Sequence, residues 1–214
     1  MKHSYTAAGT FSVVVTLTNS AGQTATQTGS VTVTAVPVTP PMVSPGVRDL
    51  FFSEYIEGSA TNKALEIYNP TAGAVDLSGY SVKLFSNGAA TTTFVQPLTG
   101  SLAAGQVLVL VNSNSNAAFI TAGSVAANTV VNYNGDDAVT LEKTGVVVDR
   151  IGQVGFDPGT EWTANGVSTL NRTLRRKPTI TAGDNNAAAV FDPSVQWDGF
   201  AIDTATGLGA HTEN

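Results

Sequence analysis

Cysteine is absent from the 214-residue chain, and that gap removes a disulfide framework, a thiol nucleophile and a zinc–thiolate site together. Charge is also scarce: only 12% of residues are Asp, Glu, Lys or Arg, and the formal net charge is −6. A sparsely charged, acidic chain does not coat nucleic acid or an anionic membrane with its whole surface. Histidine occurs twice, as His3 and His211, and no Gly-x-Ser-x-Gly elbow, His-Glu-x-x-His pair or Walker loop accompanies either. Aromatics make up 7% of the chain, too few for an aromatic-lined sugar cleft. No apolar run approaches the roughly twenty residues of a membrane span, and the opening MKHSYTAAGTF lacks the apolar stretch of a signal peptide. The chain therefore reads as a non-enzyme.

What is present points to strands. The chain is 42% hydrophobic, enough to bury a core, and its length suits one full domain with a segment appended. Thr, Val, Ala, Gly and Asn dominate over Lys and Glu, which favours sheet over helix. FSVVVTLTNSAGQTATQTGSVTVTA reads as two alternating strands around an NSAGQ turn, with Val13, Val15 and Leu17 on one face. Two strands alone are marginal in water. The face completed by Val31 and Val33 is therefore expected to pack elsewhere, with a homodimer through residues 10–34 as one outcome. VPVTPPMVSPG follows, whose prolines favour extended linker geometry over residues 36–48.

From Asp49 onward, short strand signals alternate with turn signals, as in a sandwich or barrel. GQVLVLVNS has the near-continuous apolar run of a central strand. DAVTLEKTGVVVDRIG is a hairpin turning at Thr144-Gly145, with Leu141 expected opposite Val148. One helical turn is expected in NSNAAFITAG, capped by Asn114 or Ser115 with Phe119 inward. Asn134 to Val139, NGDDAV, lacks the spacing of an EF-hand loop and reads as turn chemistry. Trp162 and Trp197 read as packing residues.

LFFSEYIEGSATNKALEIYN, residues 50–69, carries the sharpest question. A turn centred on Ala60 sets Glu54 and Glu66 directly opposite each other, an unfavourable pairing of like charges. Retaining glycosidases hold two carboxyls at about 5 Å, but within a sugar cleft that this composition does not supply. Three things could neutralise the pair: a basic side chain, a shared proton, or a calcium or magnesium ion. Arg172, Arg175, Arg176 and Lys177 lie within one six-residue window. If TLRRK is a strand, Arg172 and Arg176 share a face with Leu174, and that face is expected to meet inward carboxylates; Lys63 and Arg150 are rivals. Replacing Glu66 by Gln would then cost about 3 kcal/mol by stripping a buried cation of its partner. The same four basic residues could instead hold phosphates of a nucleic acid.

Two resemblances follow from these segments. His3-x-Tyr5, Gly9 and FSVVVTLTNSAGQTAT resemble the closing strands of PKD-type immunoglobulin-like domains, so residues 1–35 are expected to be the end of a truncated domain. FFSEYIEGSATNKALEIYNPTAGAVDLSGYSVKLFSNG resembles the opening of a lamin tail domain, in the version found in secreted bacterial nucleases. YNGDDAVTLEKTGVVVDRIGQVG, TLNRTLRRK and DPSVQWDGFAIDTATGLGAHT continue the likeness in order, over residues 49–214. The resemblance implies an all-β, immunoglobulin-like sandwich preceded by a hairpin fragment. It also implies a non-catalytic accessory module, outside the cell or at its surface, working with neighbouring domains. The alternative is a ligand-binding module for extracellular DNA or polysaccharide that uses residues 172–177.

Overall fold

The computed structural model describes residues 9–33 and 48–214, in two compact units considered separately below. His3, Tyr5 and residues 36–47 of the expected domain plan lie outside the described residues.

The first unit holds one antiparallel hairpin, β1 (Gly9–Thr18) and β2 (Thr24–Val33), in register from Gly9↔Val33 to Thr18↔Thr24. Asn19 makes the turn: its side-chain oxygen accepts from the backbone N–H groups of Ala21 and Gln23 at 3.0 and 2.9 Å, the local bonding that suits Asn to turns. Beta-branched residues fill both strands.

The second unit is a two-layer sandwich. Its strands in chain order are β3 (Phe51–Glu57), β4 (Lys63–Tyr68), β5 (Val75–Asp76), β6 (Tyr80–Phe85), β7 (Phe94–Pro97), β8 (Ser101–Leu102), β9 (Val107–Val111), β10 (Val125–Ala126), β11 (Ala138–Lys143), β12 (Val146–Ile151), β13 (Thr163–Ala164), β14 (Val167–Ser168), β15 (Arg172–Arg176) and β16 (Trp197–Phe200). One sheet has the order β10-β9-β4-β3-β15-β16 and the other β12-β11-β6-β7. Two small ribbons, β5-β8 and β13-β14, complete the set, with one helical turn α1 (Pro193–Gln196) before β16. Asp192 caps that turn by accepting from Ser194 N, and Pro193 fills the first helical position, where its missing N–H costs nothing.

The main core lies between the sheets. Phe52, Tyr55, Leu65, Ile67, Leu110, Leu174 and Trp197 of the six-stranded sheet meet Tyr80, Val82, Leu84, Val139, Leu141 and Ile151 of the four-stranded one. Trp162 is buried in the same core with Phe191 against its ring, so both tryptophans serve packing. A second, smaller apolar cluster forms on the outer face of the six-stranded sheet: Ile56, Ala64, Val109, Val111 and Phe119, with Ala205 and Leu208 packed on it. With both faces covered, β3 and β4 are buried along their whole length, and β9 carries the unbroken VLVLV run expected of a strand with no wet side.

Two local expectations are corrected by the geometry. Leu141 pairs with Asp149 rather than Val148, because the register shifts after Leu141 and a bulge absorbs the extra residue. The turn itself falls at Thr144-Gly145, both at positive φ. Phe119 ends the expected helical turn and is buried, but the turn starts after Asn116 with no side-chain cap. Ser115 instead donates to Thr61 O at 2.6 Å.

Candidate functional site

Glu54 and Glu66 are cross-strand partners on β3 and β4, and the turn between them passes through Ala60 at φ 53°. A bulge between Phe52 and Glu54 decides which way they face. Strict alternation would put Phe52 and Glu54 on one side. The extra residue, Ser53, lets Phe52 and Tyr55 both enter the main core and turns Glu54 outward. The two carboxylates therefore lie on the outer face beside Ile56, Val109 and Val111, not between the sheets as the sequence suggested.

They are nonetheless buried, at 2% and 1% exposure, because the chain after β16 returns over this face. Asp203 fastens the start of that return: it accepts from Ser59 N at 2.9 Å, Ser59 Oγ at 2.6 Å and Asn62 Nδ2 at 3.1 Å at the β3–β4 turn. Thr204 O then accepts from Thr173 Oγ1 at 2.9 Å, and Thr206 Oγ1 from Arg175 Nη2 at 3.1 Å. Gly207 passes so close that a Cβ there would overlap Arg175 Nε and Glu54 Oε2, which is why a residue without one stands at this crossing. Gly209 N donates to Glu66 Oε2 at 2.6 Å, and His211 sets its ring edge-on to Phe51 and Tyr68. Glu213 closes the strap on Arg48 at 2.6 Å.

The two glutamates are stabilised differently. Glu54 has Arg175 Nε at 3.4 Å from its Oε2, while its Oε1 accepts no hydrogen bond from the described residues. Burial outweighs the attraction of Arg175, Glu66 adds like charge, and the Glu54 carboxyl is pushed up to about 7. Among the described residues no basic side chain bonds Glu66, and Arg175 acts on it only through its charge. Ser53 Oγ donates to its Oε1 at 2.7 Å and Gly209 to its Oε2, yet burial still raises its carboxyl above the ordinary value. His211 is driven the other way, to about 4, by burial and by the charge of Arg176.

The remaining candidate residues are dispersed by the fold. In β15, Arg175 faces outward to Glu54 while Leu174 enters the main core, so the expectation that the Leu174 face would meet the glutamates is reversed. Arg175 also stacks on Phe200, with its guanidinium carbon 4.3 Å from the ring centroid. Arg176 is fully buried, donating to Phe52 O at 2.8 Å, to Gln196 and to Asp149, with Trp197 against its plane at 4.1 Å. Lys177 donates to Ser194 O within α1, and Arg172 is exposed, bonded to Asn171 O at 3.0 Å. The rivals are occupied as well: Lys63 bonds Glu57 at 2.6 Å and Arg150 bonds Asp184 at 2.6 Å.

The Asp149–Arg176 pair had no signal in the sequence beyond one basic window, because its members lie 27 residues apart on β12 and β15. Asp149 Oδ2 also accepts from Phe52 N at 2.7 Å and its Oδ1 from Asp184 N at 2.8 Å, so one carboxylate ties three segments together. Asp137 does similar work in the NGDDAV turn, accepting from Asn87 N at 2.8 Å and Asn134 N at 3.0 Å. The position beside Glu54 where a calcium or magnesium ion could stand is taken by Arg175, and among the described residues no group of three or more His, Asp or Glu converges to hold a metal. Neither carboxylate opens onto a cleft that would admit a sugar; the strap lies on both.

A family model described as Lamin Tail Domain matches residues 44–155, just over half of the chain. The match takes in β3 to β12, including both glutamates and Asp149, whereas β15, β16 and the strap lie beyond it. Comparison with curated proteins and with solved structures finds no significant match.

Proposed function

The chain belongs to the lamin tail domain family, an immunoglobulin-like fold without enzymatic character, and on that premise we propose that it serves a larger secreted or cell-surface protein as a non-catalytic accessory module. Residues 1–35, read as the end of a PKD-type domain, and an extracellular nuclease as neighbour belong to the same reading. The observation that carries it is the internal use of charge. Glu54, Glu57, Asp149, Arg150, Arg176 and Asp184 are all buried, and each is met by protein groups that fix one segment to another. A catalytic carboxylate must reach its substrate; these do not reach solvent. What such a module offers a partner is its surface.

The alternative, recognition of DNA or polysaccharide through residues 172–177, rests on Arg172 together with the part-exposed Arg175 and Lys177, since Arg176 is enclosed. Two measurements separate the readings. The purified chain is expected to turn over neither DNA nor glycosides; activity lost in Glu54→Gln would overturn the accessory role. Its affinity for duplex DNA is expected to be indifferent to Arg172→Gln at low salt. Salt-dependent binding that weakens severalfold in that variant would favour the alternative.

A further inference from the structure

We infer that residues 203–211 form a strap latched by protonation of the facing Glu54–Glu66 pair, so that it closes over the sheet in mild acid and loosens as the pH rises through neutrality. The geometry supplies the coupling. Two carboxylates stand directly opposite each other on adjacent strands, and the strap lies over both on the outer side. Opposed like charges repel, and an ionised carboxylate whose oxygen lacks a hydrogen bond is costly to bury. Glu54 Oε1 is in that position. One proton on the pair removes both costs; deprotonation restores them, and lifting the strap is the motion that lets water relieve them.

The charged groups facing the pair come from each element packed around it. Arg175 approaches from β15 and offsets part of the charge on Glu54. On the strap, burial pushes Asp203 up, but its bonds to Ser59 and Asn62 together outweigh that and hold it below its ordinary value, so it stays ionised through neutrality. His211, at about 4, is neutral above mild acid, and Glu213 is paired with Arg48. Beta9 contributes Val109 and no charge. The group left to titrate near neutrality is thus Glu54, while burial also raises the Glu66 carboxyl facing it.

The sign follows from linkage. A carboxyl raised in the closed state binds its proton more tightly there than when open, so closure is strongest below the ordinary value of 4.5 and weakens progressively as the pH rises from there to about 7. If opening returns Glu54 fully to solvent, the opening constant rises by up to about 300-fold across that window. No residue of 203–211 belongs to the main core between the sheets, so the sandwich core stays folded in the open form.

Hydrogen exchange of the full chain between pH 5 and 8, corrected for intrinsic exchange rates, tests this. Protection of the Leu208, Gly209 and Ala210 amides is expected to fall by one to two orders of magnitude, while β6 and β11 amides hold theirs. In Glu54→Gln, which mimics the protonated side chain, strap protection should lose most of its dependence on pH, Glu66 alone still titrating. Gly207→Ala, whose Cβ has no room above Arg175, should leave the strap weakly protected at every pH with β6 and β11 unchanged. Strap protection that is flat in the wild type, or that falls equally in Glu54→Gln, overturns the latch.

Discussion

Replacing Arg176 by Met asks whether a buried charge pair or the apolar packing around it holds the two sheets to each other. Both side chains of the Arg176–Asp149 pair are 0% exposed. Burial pushes the Asp149 carboxyl up and the Arg176 guanidinium down despite their contact, so each is held in its charged form against a desolvation cost. Met nearly matches the arginine stem and keeps contact with Trp197 and Phe51, so the cavity left is small. What is lost is the cation beside Asp149 and the donor to Phe52 O. Removing one partner from a buried pair costs about 3–5 kcal/mol. At about 2–4 °C per kcal/mol for a chain of this size, the melting temperature should drop by roughly 6–20 °C. Asp149 cannot be dispensed with in compensation, because its oxygens also serve the Phe52 and Asp184 N–H groups. Asp149→Asn should therefore cost a similar amount, and the double variant less than the sum of the two. The loss in Arg176→Met should also depend on pH. Without the cation the folded-state Asp149 carboxyl rises further, so the penalty is small near the ordinary value of 3.8 and grows as the pH climbs toward the raised one. Thermal and urea unfolding of the three variants at pH 5 and 8 gives all of these quantities. A shift under 2 °C for Arg176→Met at pH 8 would mean that apolar packing alone holds this junction, and the reading of Arg176 as internal structure would fail.

Other outcomes follow from the same geometry. Glu66→Gln should change stability by no more than about 1 kcal/mol, because Gln keeps one acceptor for Ser53 or Gly209 and no basic side chain is stranded; a loss near 3 kcal/mol would show a cation partner in solution. Millimolar calcium or EDTA should leave the melting temperature within 1 °C, whereas a site of micromolar affinity would add about 4 kcal/mol. Light scattering should find the chain dimeric through residues 10–34 and monomeric once residues 1–36 are removed; two monomers would refute that association.

Local chemistry carried much of this protein in plain view. Ala60 at the turn and the alternating residues on either side put Glu54 opposite Glu66, since strand register depends only on neighbours along the chain. Thr144-Gly145 marked a hairpin, VLVLV an enclosed strand, and 172–176 a strand carrying three arginines, each from period and turn preference. The direction those carboxylates face was decided by the single extra residue at Ser53, and a bulge leaves no mark in hydrophobic periodicity. Which arginine meets them was fixed by β15 pairing with β3, which brings Arg175 beside Glu54 across more than a hundred residues of chain. Only the tertiary structure could turn Thr204 to His211, a short tail rich in Ala and Gly, into the cover of a sheet face, because that role comes from where the tail lands. The burial that shifts Glu54 and Glu66, and so gives this face its expected response to pH, comes from that landing.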